Sequence, residues 1–223
     1  MTQLKFCGLN DPAGFDAAVQ AGAEMVGLVF FGPSPRNLTP DAAATLSARA
    51  AAPAAGGPQR VGLFVDATDD EIAAVLAKVP LDILQLHGSE TPARSAEIRA
   101  RFGLPVMKAL GIATAQDLDP LAAFAPVVDR FLLDAKAPPD SAIPGGNALT
   151  FDWSLLAGRA VPRPWLLAGG LTAVNVAEAI RATGTPGVDV SSGVERARGK
   201  KDPAQIAAFA AAVRQAAKHR GAE

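Results

Sequence analysis

The chain predicts a single-domain α/β protein, a closed (βα)8 barrel spanning residues 1–223, and three observations carry that expectation. Apolar segments recur at intervals of roughly 20 to 30 residues, each followed by a polar cap and an Ala-rich helical pattern, which is the rhythm of βα units on a parallel sheet. Eight such units follow one another without long interruption, which favours a closed barrel over a doubly wound sheet. At 223 residues and 49% hydrophobic content the chain can bury one large core, but it is short for this fold, so its loops must be compact.

The strands are expected at 4–7, 25–30, 60–65, 82–87, 105–109, 130–134, 165–168 and 187–190. Helix starts are legible between them. Asp11-Pro12, Thr39-Pro40, Thr91-Pro92 and Asp202-Pro203 each set a capping side chain before a proline at the first helical position. Thr68 with Glu71 makes a capping box. Ile72, Val75, Leu76 and Val79 share one helix face, as do Ile206, Phe209, Ala210 and Val213, and each face is expected to cover the sheet. The Ala/Pro/Gly tract 50–58 reads as a flexible loop entering strand three. The Pro- and Gly-rich stretch 135–150 follows strand six, on the face where this fold keeps its chemistry, and is a candidate lid.

Composition narrows the function classes. A net charge of -1, from 21 Lys+Arg against 22 Asp+Glu, supplies no global field for nucleic acid or an anionic membrane. No apolar run approaches the roughly 18 residues of a membrane span, and no leader pattern precedes the first strand, so a cytoplasmic protein is expected. A lone Cys7 with only His87 and His219 supplies neither a disulfide nor a metal site. The sequence leaves monomer and homodimer both open.

Strand parity selects the side chains that meet. In strand one, Leu4 and Phe6 pack under the helices while Lys5 and Cys7 face the barrel axis, with Cys7 at the C-terminal end. In strand six, Phe131 and Leu133 face out and Asp134 faces in at the same end. A thiol and a carboxyl then look across the mouth. Cys7 is open to two readings, a small buried hydrophobe or a base whose thiolate a neighbouring ammonium such as Lys5 stabilises. Asp134 is either a loop former after its strand or an acid whose proton affinity partial desolvation raises. Arg36, held between prolines after strand two, is a solvated loop residue or a fork for a carboxylate. Gln85 and His87 share the inward parity of strand four, for core hydrogen bonding or for catalysis. The basic run 196–201 reads as a solvated loop.

Two stretches suit an anion. Gly187-Val188-Asp189-Val190-Ser191-Ser192-Gly193 and Leu166-Leu167-Ala168-Gly169-Gly170-Leu171-Thr172 each end an apolar strand in small residues whose amides can approach a phosphate. Singly, each also fits a strand end with a capped turn. Together they form a pair at strands seven and eight, where this fold commonly binds phosphate.

The chain resembles the phosphoribosylanthranilate isomerase family of TIM barrels. The resemblance rests on Lys5-Phe6-Cys7-Gly8, Gly32-Pro33-Ser34-Pro35-Arg36, Gln85-Leu86-His87-Gly88, Leu133-Asp134, Gly145-Gly146, Phe151-Asp152-Trp153, Ala168-Gly169-Gly170-Leu171, Val188-Asp189-Val190-Ser191-Ser192-Gly193-Val194-Glu195 and Gly199-Lys200-Lys201-Asp202, in order over nearly the whole chain. It implies an Amadori rearrangement of a small phosphoribosyl substrate in tryptophan biosynthesis, without metal or organic cofactor. It implies Asp134 as general acid, Cys7 as general base, and Arg36 as contact for the anthranilate carboxylate. Gly169, Gly170, Ser191, Ser192 and Gly193 match the phosphate cradle, and Asp189 is implied in orienting the substrate. The related isomerase of histidine biosynthesis uses two aspartates, and cysteine at position 7 argues against it. A barrel that only binds a phosphorylated metabolite is the reading from another class. The chain departs from the family pattern at Phe6, where isoleucine is more usual, and at Gly145-Gly146-Asn147-Ala148, in place of Gly-Gly-Thr/Ser-Gly.

Overall fold

Eight parallel strands close on themselves in chain order, β1 (Gln3–Cys7), β2 (Met25–Phe30), β3 (Gln59–Phe64), β4 (Ile83–Leu86), β5 (Val106–Ile112), β6 (Arg130–Ala135), β7 (Trp165–Leu167) and β8 (Gly187–Val190), with β8 returning to pair with β1. The computed structural model describes residues 2–220 apart from 139 and 142, with side chains to residue 217. The side chain of His219 therefore lies outside the described residues. Among these residues, no helix is long and apolar enough to cross a membrane.

Parity sorts the core as the strand pattern requires. Met25, Val61, Ile83, Met107, Leu132 and Leu166 point inward and fill the barrel floor. Phe6, Phe131 and Leu133 point outward into the layer between strands and helices. Phe6, the departure from the family pattern, is fully buried there and meets Phe209 edge-on at 6.0 Å between ring centres.

The helices are α1 (Pro12–Gln20), α2 (Pro40–Ser47), α3 (Asp69–Leu76), α4 (Pro92–Phe102), α5 (Leu121–Phe124), α6 (Val176–Thr183) and α7 (Pro203–Arg220). Their caps hold as read. Asp11 Oδ1 accepts from Gly14 N at 2.8 Å, Thr39 and Thr91 accept from Ala42 N and Arg94 N, and Thr68 and Glu71 cap each other reciprocally. Each such cap contributes about 1 kcal/mol by satisfying an orphan amide of the first turn.

Two connections differ from expectation. Among the described residues between β6 and β7 there is no α-helix, only a 3-10 turn, Trp153–Leu156, started by Asp152 accepting from Ser154 N. Gly158, in the left-handed region, and two following prolines stop it. The tract 50–58 is not a loose loop. It carries a 3-10 turn, Pro53–Ala55, and the buried Arg60 donates to the carbonyls of Ser47, Ala50, Ala51 and Pro58. An arginine with five donors spends them on a loop that lacks a ladder of its own.

Candidate active site

The C-terminal ends of the strands surround a cleft enclosing about 750 Å³ of space continuous with solvent, lined among others by Cys7, Arg36, His87, Asp134 and Asp189. Parity alone brings most of these side chains to one mouth. Cys7, the last residue of β1, is buried with Val29 and Leu63 in a small apolar cluster. Its sulfur lies against Gly27 of β2 so closely that a Cβ there would come within 2.8 Å of Sγ.

Two residues below, Lys5 sits fully buried inside the barrel, its Nζ donating to Asp189 Oδ1 at 2.8 Å. Burial works against this ammonium, but Asp189 and then Cys7 outweigh it and hold the Lys5 pKa above its ordinary value. The expectation that Lys5 would stabilise a thiolate is only partly met. Burial pushes the Cys7 thiol up; Lys5 and Lys201 pull it down and Asp189 pushes it up, so at rest the sulfur keeps its proton.

Asp134, on β6, enters the mouth opposite. Its Oδ1 accepts from Ala135 N at 2.8 Å, and its Oδ2 lies 3.4 Å from His87 Nε2. Gln85 Nε2 approaches His87 Nδ1 at 3.1 Å. With the amide nitrogen donating, Nδ1 is the acceptor and the neutral imidazole carries its proton on Nε2, toward Asp134, a tautomer assigned from this hydrogen bond. Gln85 and His87, left open between core and catalysis, thus stand in line behind the acid. Gly145 shows how close the loop after β6 lies, since a Cβ on it would come within 2.8 Å of both Asp134 Oδ2 and His87 Cε1. That loop does lie over the mouth, with Ile143, Pro144 and Asn147 also lining the cleft. The turn after His87 is held from below. Glu90 accepts from Asp66 N, Gly88 N and the buried Lys108 Nζ.

Glycines shape the other end. Gly169 and Gly170 have φ of +88° and +58°, conformations that side chains disfavour, and neither amide donates to an acceptor among the described residues. A Cβ on Gly193 would meet Leu171 O at 1.8 Å, so the loops after β7 and β8 touch backbone to backbone. Asn175 closes the first of these loops, accepting from Thr172 N and donating to Gly170 O. The two stretches paired from the sequence therefore form one concave, amide-rich edge of the cleft with Ser191 and Ser192.

Arg36 is 3% exposed, and the carboxylate its fork holds is the chain's own. Its Nε donates to Glu195 Oε1 at 2.7 Å and its Nη2 to Glu195 Oε2 at 3.0 Å. Glu195 also accepts from Lys201 Nζ at 2.8 Å and Gly199 N at 2.9 Å. Burial pushes the Glu195 carboxyl up, but Arg36, Lys201 and the Gly199 amide outweigh it and bring the pKa down to about 2. The run 196–201 is solvated as expected at Arg196, Ala197, Arg198 and Lys200, but not at Gly199 and Lys201. It forms a hairpin of β9 (Glu195–Ala197) and β10 (Lys200–Lys201), and Lys201 is buried, its pKa lowered by that burial against the pull of Glu195. Glu195 and Lys201 lay within stretches already noted, but as single charges they carried no sign of burial; only the hairpin folding back on β8 gives one.

Residues 4–212 match the family model described as N-(5'phosphoribosyl)anthranilate (PRA) isomerase. The chain is 59% identical over 208 residues to N-(5'-phosphoribosyl)anthranilate isomerase of Paracoccus denitrificans, covering 93% of this chain and 95% of that one. The fold is similar to the crystal structure of phosphoribosyl anthranilate isomerase from Thermotoga maritima, with a TM-score of 0.85, 34% identity and coverage of 96% and 100%. It is also similar to such an isomerase solved in complex with reduced 1-(o-carboxyphenylamino)-1-deoxyribulose 5-phosphate, with a TM-score of 0.80, 32% identity and coverage of 96% and 100%.

Proposed function

The chain belongs to the N-(5'-phosphoribosyl)anthranilate isomerase family, and from that premise we propose that its barrel is one catalytic domain that converts N-(5-phosphoribosyl)anthranilate to 1-(2-carboxyphenylamino)-1-deoxyribulose 5-phosphate, as a cytoplasmic enzyme of tryptophan biosynthesis. The observation that carries this reading is that one cleft holds a thiol, a carboxyl, a buried arginine and an amide-rich edge, one group for each part of that substrate.

The phosphate rests on the amides of Gly169, Gly170, Ser191, Ser192 and Gly193, which attract an anion without carrying a charge. The anthranilate carboxylate meets Arg36, and Asp189, tied to Lys5, borders the sugar. With both ends fixed, the ribose is held between Asp134 and Cys7, and binding far from the reacting atoms supplies the alignment. Asp134 donates its proton to the ring oxygen as the C1–O bond breaks, the nitrogen lone pair forms the Schiff base, and the ring opens. His87, donating through Nε2, steers that carboxyl. The Cys7 thiolate then removes the proton on C2, giving the enolamine, which tautomerises to the ketone. A thiol held protonated at rest must first pass its proton, through water in the cleft, to the Asp134 carboxylate left by ring opening; Lys5 and the cationic Schiff base favour the thiolate so formed, and its capture of the C2 proton returns both groups to their starting states. These steps use protons alone.

Purified protein should consume phosphoribosylanthranilate, followed by the fall in anthranilate fluorescence. General acid–base groups contribute roughly 10²- to 10⁴-fold, so Cys7→Ser and Asp134→Asn should each lose at least that lower factor in kcat while product affinity is kept. Wild-type rates in either variant would sink these roles. Binding without turnover by the native protein would make it a metabolite-binding barrel instead.

A further inference from the structure

We propose that Glu195 is a positioning residue that fixes the Arg36 guanidinium for the substrate carboxylate and, through Lys201 and Ser191, ties that arginine to the phosphate end of the cleft. The inference rests on the isomerase reading above and concerns a residue that touches no substrate.

Donor and acceptor counts exclude direct contact. A carboxylate offers about four lone-pair sites. Glu195 fills them with Arg36 Nε and Lys201 Nζ on Oε1, and Arg36 Nη2 and Gly199 N on Oε2. Lys201 Nζ has three protons and three acceptors, Glu195 Oε1, Ser191 O at 2.9 Å and Ser191 Oγ at 3.3 Å. Neither residue has a bond left for a ligand. Arg36 does. Its Nε–Nη2 edge is spent on Glu195, with Gly146 O a further acceptor for Nη2 at 3.4 Å, and among the described residues no acceptor takes Nη1.

Three loops are shaped around this arrangement. Gly8 after β1, Gly146 after β6 and Gly199 in the hairpin after β8 all have positive φ. A Cβ on Gly8 would fall 2.4 Å from Arg36 Cδ, on Gly146 2.6 Å from Nη1, and on Gly199 2.7 Å from Pro35 O. Each loop gives up a side chain where the arginine or its turn passes. The charges point the same way. Arg36 and Lys201 against Glu195 leave one excess positive charge buried beside the cleft, which is costly unless an anion arrives to meet it. A carboxylate approaching Nη1 meets a guanidinium that cannot rotate, because the opposite edge is held bidentate. The same Glu195 oxygen that holds Arg36 Nε also holds the lysine bound to Ser191, so the two anion sites keep a fixed separation.

The test measures binding of two probes by titration calorimetry, the reduced product analogue and the same molecule lacking the ring carboxylate. Glu195→Gln should lose about tenfold or more in affinity for the carboxylated probe and no more than about threefold for the other. The double variant Arg36→Met with Glu195→Gln should bind the carboxylated probe no worse than Arg36→Met alone, since Glu195 acts through Arg36. In turnover, KM should rise by a larger factor than kcat falls. Equal loss on both probes, or losses that add in the double variant, overturns the proposal. If Glu195→Gln does not fold, Glu195→Asp, which keeps the charge but withdraws it by one methylene, must show the same selective loss in smaller measure; an even loss overturns the proposal equally. Native protein that binds neither probe overturns the isomerase reading together with this one, whereas native protein that favours the carboxylated probe keeps that reading standing whatever Glu195 does.

Discussion

Glu195 ties its charge to the stability of the fold. Its folded pKa of about 2 lies below the ordinary carboxylate value of 4.5. A depressed acid stabilises the fold fully above its unfolded pKa and loses that contribution as pH falls through the folded one, so the window runs from about 4.5 down to about 2. A shift of this size sets an upper bound of about 3 kcal/mol, which solvent screening of this partly exposed residue reduces. The urea midpoint of the native protein should exceed that of Glu195→Gln near neutrality, and the gap should narrow between about pH 5 and about pH 3. A gap that stays constant over that range removes Glu195 as a titrating contributor. Cys7 and Asp134 were legible at this scale because parity is a property of strands and needs no partner. Glu195, Lys201 and Lys108 were not, because a charged residue in sequence reads as solvated until a tertiary neighbour takes it out of water.

Loops are where the elements meet, and the pair after β7 and β8 meets without clearance. Gly193 faces the Leu171 carbonyl at a distance no Cβ tolerates, so Gly193→Ala must spread the two loops or twist one of them. The amides on both sides of the cradle then lose their common focus. We expect KM for the phosphorylated substrate to rise about tenfold or more, with far-UV circular dichroism unchanged, since the β-strands themselves are untouched. Unaltered KM would mean that the cradle forms from one loop alone. The sequence showed the two glycine-ended stretches but not their contact, which depends on the offset between neighbouring strands. Ala148 adds a contrast: it holds φ +57° where the family more usually has glycine, so the loop after β6 keeps a left-handed turn at the cost of roughly 1 kcal/mol.

Across the molecule, the strand rhythm and the capped helix starts defined the barrel, and every strand falls within a few residues of its expected place. The missing helix between β6 and β7 was hidden because Pro and Gly mark a loop without saying what the loop replaces. Closure itself rests on the first and last strands. Gln3, Leu4, Lys5 and Phe6 pair with Gly187, Val188, Asp189 and Val190, and the Lys5–Asp189 ion pair crosses that seam inside the barrel. Removing one partner of such a pair leaves a buried charge uncompensated, which typically costs 3–5 kcal/mol. A fragment ending at residue 186 should therefore show no cooperative urea transition; a sharp one would mean that the first seven strands are stable without the eighth.

The Lys5–Asp189 seam also bears on the order of synthesis. Cys7 leaves the ribosome some 180 residues before the carboxylate that balances the ammonium beneath it. Until then the sulfhydryl stands in water with an ordinary acidity and reacts readily with an alkylating reagent; once the seam closes it is 4% exposed and held protonated. As the chain has a single cysteine, its labelling rate is an intrinsic clock for barrel completion, needing no introduced probe.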